Sequence, residues 1–172
     1  VRQAGNGPVV LLLHGFPDSS ELWHDVTPPL VAAGFRVVAP DLRGFGQSDA
    51  PAAVGDYALG HIVADLRTLI GRLAGDEPVR VIGHDWGAVA GWCLALEHPQ
   101  LVRSQVALSV GHPRQYAVAG LEQKLKGLYT LAWQVPGVAE RWLAQRGYAG
   151  LRDWGRQHPR IDDCIKNLSR PG

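Results

Sequence analysis

The chain has 172 residues, 46% of them apolar and 19% charged, with 17 Lys and Arg against 16 Asp and Glu for a formal net charge of +1. That balance excludes a disordered chain, and without a basic run a nucleic-acid surface is excluded as well. No apolar run reaches the length of about 18 residues that a membrane span needs, and the N-terminus lacks a charged-then-apolar leader pattern. Cys93 and Cys164 have no metal-ligand spacing, so two free thiols in a reducing, cytoplasmic setting are expected. The chain begins at Val1, contains no Met and ends S-R-P-G, the expectation being a fragment.

Val9 to Leu13 is a continuous apolar run behind a G-N-G-P turn, the pattern of a strand buried on both faces of a parallel sheet. H-G-F-P-D ends it. Ser19 and Ser20 are cap residues for a helix predicted to run to Ala33, with Leu22, Trp23, Val26 and Leu30 on one face. Gly34 closes that helix, Phe35 to Ala39 is the next predicted strand, and Pro40 to Pro51 is a loop dense in turn residues. Leu59, Ile62, Val63, Leu66, Ile70 and Leu73 recur at three and four residues, which predicts a helix over 57–73. After Gly75 and Pro78 come a strand from Val79, a tight turn, a helix ending near His98, and a strand over 102–110. This alternation predicts an α/β fold over residues 1–112, a mostly parallel sheet with helices on both faces and right-handed crossovers. From 113 to 172 the pattern is helical only, with apolar spacing at Leu121, Leu125, Leu128, Ala132 and Trp133, then at Val138, Trp142 and Leu143, and again near Leu151 and Trp154. Helices that do not cross back to the sheet must pack elsewhere, and these are read as the first part of an inserted cap.

The chain is organised around V-R-V-I-G-H-D-W-G, Val79 to Gly87. Gly83 and Gly87, two residues either side of Asp85, remove the Cβ atoms that would clash in a sharp strand-to-helix turn and leave Asp85 standing above the sheet. An ordinary turn uses the same residue types; the rest of the chain has to decide. Most nucleophile elbows present Ser at the tip, and this one presents a carboxylate. Asp85 is ionised at neutral pH and can attack a saturated carbon carrying a leaving group, an epoxide carbon or one bearing a halogen, to give an ester of its own side chain. Hydrolysis of that ester needs donors for the developing oxyanion, a histidine to activate water and a carboxylate to orient that histidine.

Four stretches occur in order: H-G-F-P at His14 to Pro17, D-L-R-G-F-G-Q-S at Asp41 to Ser48, G-H-D-W-G at Gly83 to Gly87, and Y-T-L-A-W-Q-V-P-G-V-A-E at Tyr129 to Glu140. With them the chain resembles the α/β-hydrolase family and, within it, the epoxide hydrolases. The resemblance implies an α/β-hydrolase fold with part of a helical cap. It implies Asp85 as nucleophile, the backbone N–H groups of Phe16 and Trp86 as oxyanion donors, and Tyr129 as the proton donor to the epoxide oxygen. A phenol with a pKa of about 10 suits that last role; a half-buried tyrosine covering apolar neighbours is the structural alternative, and Tyr116 and Tyr148 are the fallback candidates. Structural alternatives for the donors are a surface-loop aromatic at Phe16 and a core aromatic over the elbow at Trp86. The base histidine and its acidic partner follow the cap in such chains, so both, with the C-terminal part of the core, are expected to be absent from this one. His24, His61, His98, His112 and His158 have no motif support, His14 and His84 are read as structural, and Arg43 as a hydrogen-bond donor within its loop.

The expected activity is hydration of an epoxide to a vicinal diol, the partners being a small epoxide and water, with no metal, nucleotide or flavin and no membrane or nucleic acid. One alternative is a haloalkane or haloacid dehalogenase using the same Asp. Haloalkane dehalogenases carry a tryptophan placed as Trp86 but typically have Asn where Phe16 stands, and fluoroacetate dehalogenases share H-G-F-P but tend to carry Arg where Trp86 stands. The other alternative is an incomplete, non-catalytic module whose uncovered sheet edge leads to self-association.

Overall fold

In a computed structural model, which describes residues 1–114 and 138–168, five strands make one sheet. They are β1 (Arg2–Ala4), β2 (Val9–Leu13), β3 (Arg36–Ala39), β4 (Val79–His84) and β5 (Val102–Leu108), in the spatial order β1-β3-β2-β4-β5. β2, β3, β4 and β5 pair in parallel, and β1 pairs antiparallel with β3. Among the described residues, 1–111 form one compact unit, and 112–114 with 138–168 belong to a second.

β2 lies at the centre of the sheet, and its apolar run has partners on both faces because successive side chains point to opposite sides. Leu11 and Leu13 join Val38, Val79 and Val81 under α2 (Leu59–Ala74) and α3 (Trp86–Glu97), which add Val63, Leu66, Ile70, Ala90 and Leu94. On the other face Val10 and Leu12 join Val37, Ala39 and Trp23. α2 buries the stripe predicted for it and starts at Leu59, because Val54–Tyr57 form a separate 3-10 turn whose Tyr57 hydroxyl donates to the Pro51 carbonyl.

Two expectations need correction. The helix expected from Ser19 or Ser20 to Ala33 is two pieces, a 3-10 turn over Ser20–Trp23 and α1 over Thr27–Ala32. Ser19 does cap the first piece, its hydroxyl accepting from the Glu21 N–H at 3.3 Å. Pro28 and Pro29 have no N–H to give to the carbonyls of His24 and Asp25, so one continuous helix cannot form. The second correction is β1, which was not expected: Arg2, Gln3 and Ala4 stand opposite Ala39, Val38 and Val37 along the free side of β3.

In the second unit the described helices are α4 (Val138–Ala144), α5 (Ala149–Trp154) and α6 (Ile161–Leu168). A side chain at Gly150 would meet the Trp142 ring, and one at Gly155 would meet Ile161; small residues thus set how α5 meets its neighbours. The apolar positions at 121–133, Tyr129 among them, lie outside the described residues. Among the described residues no helix is long and apolar enough to cross a membrane, and Cys93 and Cys164 are free thiols.

β5 ends the sheet on the side opposite β1, with Val106 and Leu108 exposed at 51% and 42%, whereas Leu11 in β2 is 1% exposed. Urea denaturation is expected to show a loss of about 3 kcal/mol for Leu11→Ala, the usual cost of a cavity in a packed core. Val106→Ala should lose less than about 1 kcal/mol, as exposed substitutions do. Equal losses at the two positions would contradict this placement of the core.

Candidate active site

β2 and β4 are neighbours with Leu13 in register with Gly83, so the loops leaving their C-terminal ends start at the same level. At the carboxyl ends of parallel strands such loops form the usual crevice for a ligand. The loop after β4 is the elbow. Asp85 has φ 51° and ψ −123°, a conformation that costs a residue with a side chain about 1–3 kcal/mol. Its N–H donates to the Leu108 carbonyl at 3.2 Å, and its own carbonyl accepts the N–H groups of Ala88 and Val89 at 2.9 and 3.1 Å. A side chain at Gly87 would run into the carbonyl oxygens of Leu13 and His14, and one at Gly83 would come within 2.6 Å of the Ala88 backbone. A side chain at Gly15 would sit 2.5 Å from both Cβ and Oδ1 of Asp85. The two loops therefore touch backbone to backbone.

That contact brings together two of the residues singled out in the sequence. The Phe16 N–H donates to Oδ1 of Asp85 at 3.0 Å. Trp86 is the first residue of α3, so its N–H has no acceptor within the helix and lies at the positive end of the helix dipole. Its indole is 56% exposed and is not the core aromatic that the sequence allowed as an alternative. Tyr129 and Tyr116 lie outside the described residues, and Tyr148 immediately precedes α5 with φ 66°.

Most of the histidines hold turns or face solvent. His24 and His61 are exposed, His98 ends α3 with its N–H on the Leu94 carbonyl, and Nδ1 of His112 and of His158 accepts the N–H two residues on. His84 ends β4, and its Nδ1 is buried without a hydrogen-bond partner. Arg43 makes a two-pronged pair with Asp65 on α2 at 2.9 and 2.8 Å, the structural donor expected.

His14 is fully buried. Its Nε2 accepts the Leu42 N–H at 2.9 Å, which leaves the ring proton on Nδ1, facing the Gly15 carbonyl at 3.0 Å. Burial pushes its pKa below the ordinary 6.5, against the opposing pull of the Gly15 carbonyl and of Asp41 and Asp18. Asp41 was not among the sequence candidates. Its Oδ1 accepts the Ser20 N–H at 2.7 Å and its Oδ2 the Gln47 N–H at 2.9 Å. Desolvation alone would raise its pKa; the bonds from Gln47 and Ser20 outweigh it and hold the carboxyl below the ordinary 3.8. The signal that could have found it is the D-x-x-G-x-G-Q-S spacing, an acceptor followed by a turn able to fold back on it.

Both groups bind protons less readily folded than unfolded, so each contributes stability at high pH and loses it on acidification. For His14 the loss begins below its ordinary 6.5, and for Asp41 below 3.8. The thermal midpoint is expected to fall in two stages as the pH drops, and His14→Gln should remove the first. A wild-type midpoint unchanged from about pH 7 to 5 would contradict a buried neutral His14.

The alpha/beta hydrolase fold family matches residues 8–146. Over 156 residues the chain is 41% identical to epoxide hydrolase 3 of Siraitia grosvenorii, a match covering 88% of this chain and 49% of that protein. Among solved structures it is similar to an epoxide hydrolase from Vigna radiata, with a TM-score of 0.81 and 31% identity over 99% of this chain and 62% of that one. It is similar also to epoxide hydrolase I of potato (Solanum tuberosum), with a TM-score of 0.71 and 35% identity over 83% of this chain and 47% of that one. The chain spans about half the length, or less, of the curated relatives it matches. With a parallel sheet, a strained elbow and a family match over most of its length, the chain belongs to the alpha/beta hydrolase fold family.

Proposed function

We propose that Asp85 opens epoxides by forming an ester on its own side chain, on the way to a vicinal diol. The observation that carries this is an aspartate at the tip of the elbow whose Oδ1 already receives a backbone N–H from the neighbouring loop. Similarity to epoxide hydrolases supports it. With Oδ1 engaged, Oδ2 is the attacking atom. Its electron pair forms a bond to an epoxide carbon while the ring C–O bond breaks, and the departing oxygen takes the phenolic proton of Tyr129. Oδ1 is then the carbonyl oxygen of the ester, still over the Phe16 N–H. When water adds to the ester carbon, negative charge develops on Oδ1, where the N–H groups of Phe16 and Trp86 receive it without reorganisation. Collapse of that intermediate breaks the ester C–O bond, the expelled alkoxide takes a proton and leaves as the diol, the Asp85 carboxylate returns, and the proton the base drew from water restores the Tyr129 phenol.

Water addition needs a base, and we assign none of the seven histidines of this chain to that role. His14 has both ring nitrogens engaged, and the others hold turns, face solvent or, like His84, end a strand. The 172 residues alone therefore stop at the ester, and turnover belongs to a longer protein that supplies the base. A second reading is displacement of a halide by the same Asp85 oxygen. It is favoured by the exposed Trp86 indole, whose N–H can hold a leaving halide. The exposed Val106 and Leu108 on the terminal strand β5 support self-association of the isolated chain.

Incubation with styrene oxide, followed by intact mass measurement and peptide mapping, is expected to give one adduct per chain at Asp85. Asp85→Ala should slow adduct formation by about a thousandfold or more, as loss of a nucleophile does. Diol release continuing beyond one equivalent would place a base within this chain. A folded chain that forms no adduct would remove Asp85 from the role of nucleophile.

A further inference from the structure

Phe16 has no side-chain handle on Asp85; what aims its N–H is the path of the backbone from His14 to Ser20. Both ends of that path are fastened to one other segment, the loop after β3. At the near end Nε2 of His14 holds the Leu42 N–H at 2.9 Å, and at the far end Oδ1 of Asp41 holds the Ser20 N–H at 2.7 Å. The second loop is itself closed on Asp41. Oδ2 takes the Gln47 N–H at 2.9 Å, and the Asp41 carbonyl takes the Ser48 hydroxyl at 2.7 Å. Gly46 sits at φ 54° where any side chain would run into the Asp41 carboxylate. The Phe45 ring stands edge-on to both His14 and Phe16, with centroids at 5.3 and 6.5 Å.

We propose that His14 and Asp41 are positioning residues for the nucleophile: by clamping both ends of the 14–20 loop to the 41–48 loop they hold the Phe16 N–H against Oδ1 of Asp85. Each acts through the Phe16 backbone. Removing either acceptor leaves a buried backbone N–H, of Leu42 or of Ser20, without its partner, and a backbone group so placed moves until it finds another. The movement is transmitted to Phe16 because the loop between the clamps is only a few residues long and abuts Asp85 through Gly15, next to the His14 clamp. The charged groups facing His14 are Asp41 and Asp18; with His14 neutral, the clamp at neutral pH is a set of hydrogen bonds and not an ion pair.

The kinetic half of the test rests on Asp85 being the nucleophile; the amide half does not. Hydrogen exchange at the Phe16 amide is followed by NMR in the isotopically labelled 172-residue chain, beside the rate of Asp85 alkylation by styrene oxide. His14→Leu and Asp41→Ala are each expected to speed exchange at Phe16 about tenfold, the scale of one lost hydrogen bond, and to slow alkylation by a similar factor. Amides of Leu11 and Leu12, inside β2, should keep their protection. His14→Gln, whose Oε1 can still accept the Leu42 N–H, should stay within about threefold of wild type on both readouts. Where His14→Leu fails to fold, Asp41→Ala and His14→Gln still decide the question. Folded variants in which Phe16 exchange is unchanged, or rises only in step with every other amide, would overturn the proposal. Absence of any wild-type adduct would instead remove the nucleophile assignment and leave the amide comparison standing.

Discussion

The backbone at Gly87 passes so close to the carbonyl oxygens of Leu13 and His14 that no side chain fits between them, and the geometry of the site depends on that approach. Two parallel strands in register deliver their loops to one level; whether those loops cross or splay is decided by what lies between them. With hydrogen at Gly15 and Gly87 they cross, and the first N–H beyond the crossing, that of Phe16, falls 3.0 Å from the Asp85 carboxylate. Asp85 pays in return with a positive φ of 51°. A strain of about 1–3 kcal/mol persists only where the surroundings over-determine it. Here the fixed Leu108 carbonyl on one side and the first turn of α3 on the other do so. The buried run of β2 lies packed beneath the junction.

Local signals were legible and distant ones were not. β2 coincides with the apolar run from Val9 to Leu13 because a strand buried on both faces has no polar interruption. The α2 stripe was legible because a helix buries residues at fixed spacing whatever it packs against. The glycines of the elbow identified the turn without its partner loop. β1 escaped because R-Q-A has no periodicity of its own and is a strand only by virtue of the free side of β3. Apolar spacing continued across Pro28 and Pro29, but spacing says nothing about a missing N–H, and the helix broke there. Ile161, Cys164, Ile165 and Leu168 do carry a helical period, so α6 could have been read directly.

The candidate site divides in the same way. Asp85 was legible as a turn tip, whereas its hydrogen bond to Phe16 spans 69 residues and those of Asp41 and His14 span 21 and 28. Pairings at such separations have no periodic trace in a single chain. They are set by which strands become neighbours, and only β2 lying between β3 and β4 puts the three loops side by side. Tyr129 rests on motif likeness alone, since it lies outside the described residues.

The electrostatics of the junction suit the attack proposed for the Asp85 carboxylate. Among the described residues no Lys or Arg pairs with Asp85. A guanidinium would hold both carboxylate oxygens and lower their basicity, orienting the group while making it a poorer nucleophile. A backbone N–H at one oxygen, that of Phe16, orients it too and leaves the charge on the other oxygen available. It also does not titrate and has no rotamer to change, so it would remain in place as charge moved to Oδ1 in the proposed second step. His14 fits the same logic. Two residues from Phe16, an imidazolium would set a full positive charge beside the proposed nucleophile, and burial keeps the ring neutral with its one proton committed to the Gly15 carbonyl. The Phe16 N–H that orients Asp85 directly is thus a neutral dipole fixed by the fold, and it leaves the carboxylate charge to the oxygen proposed to react.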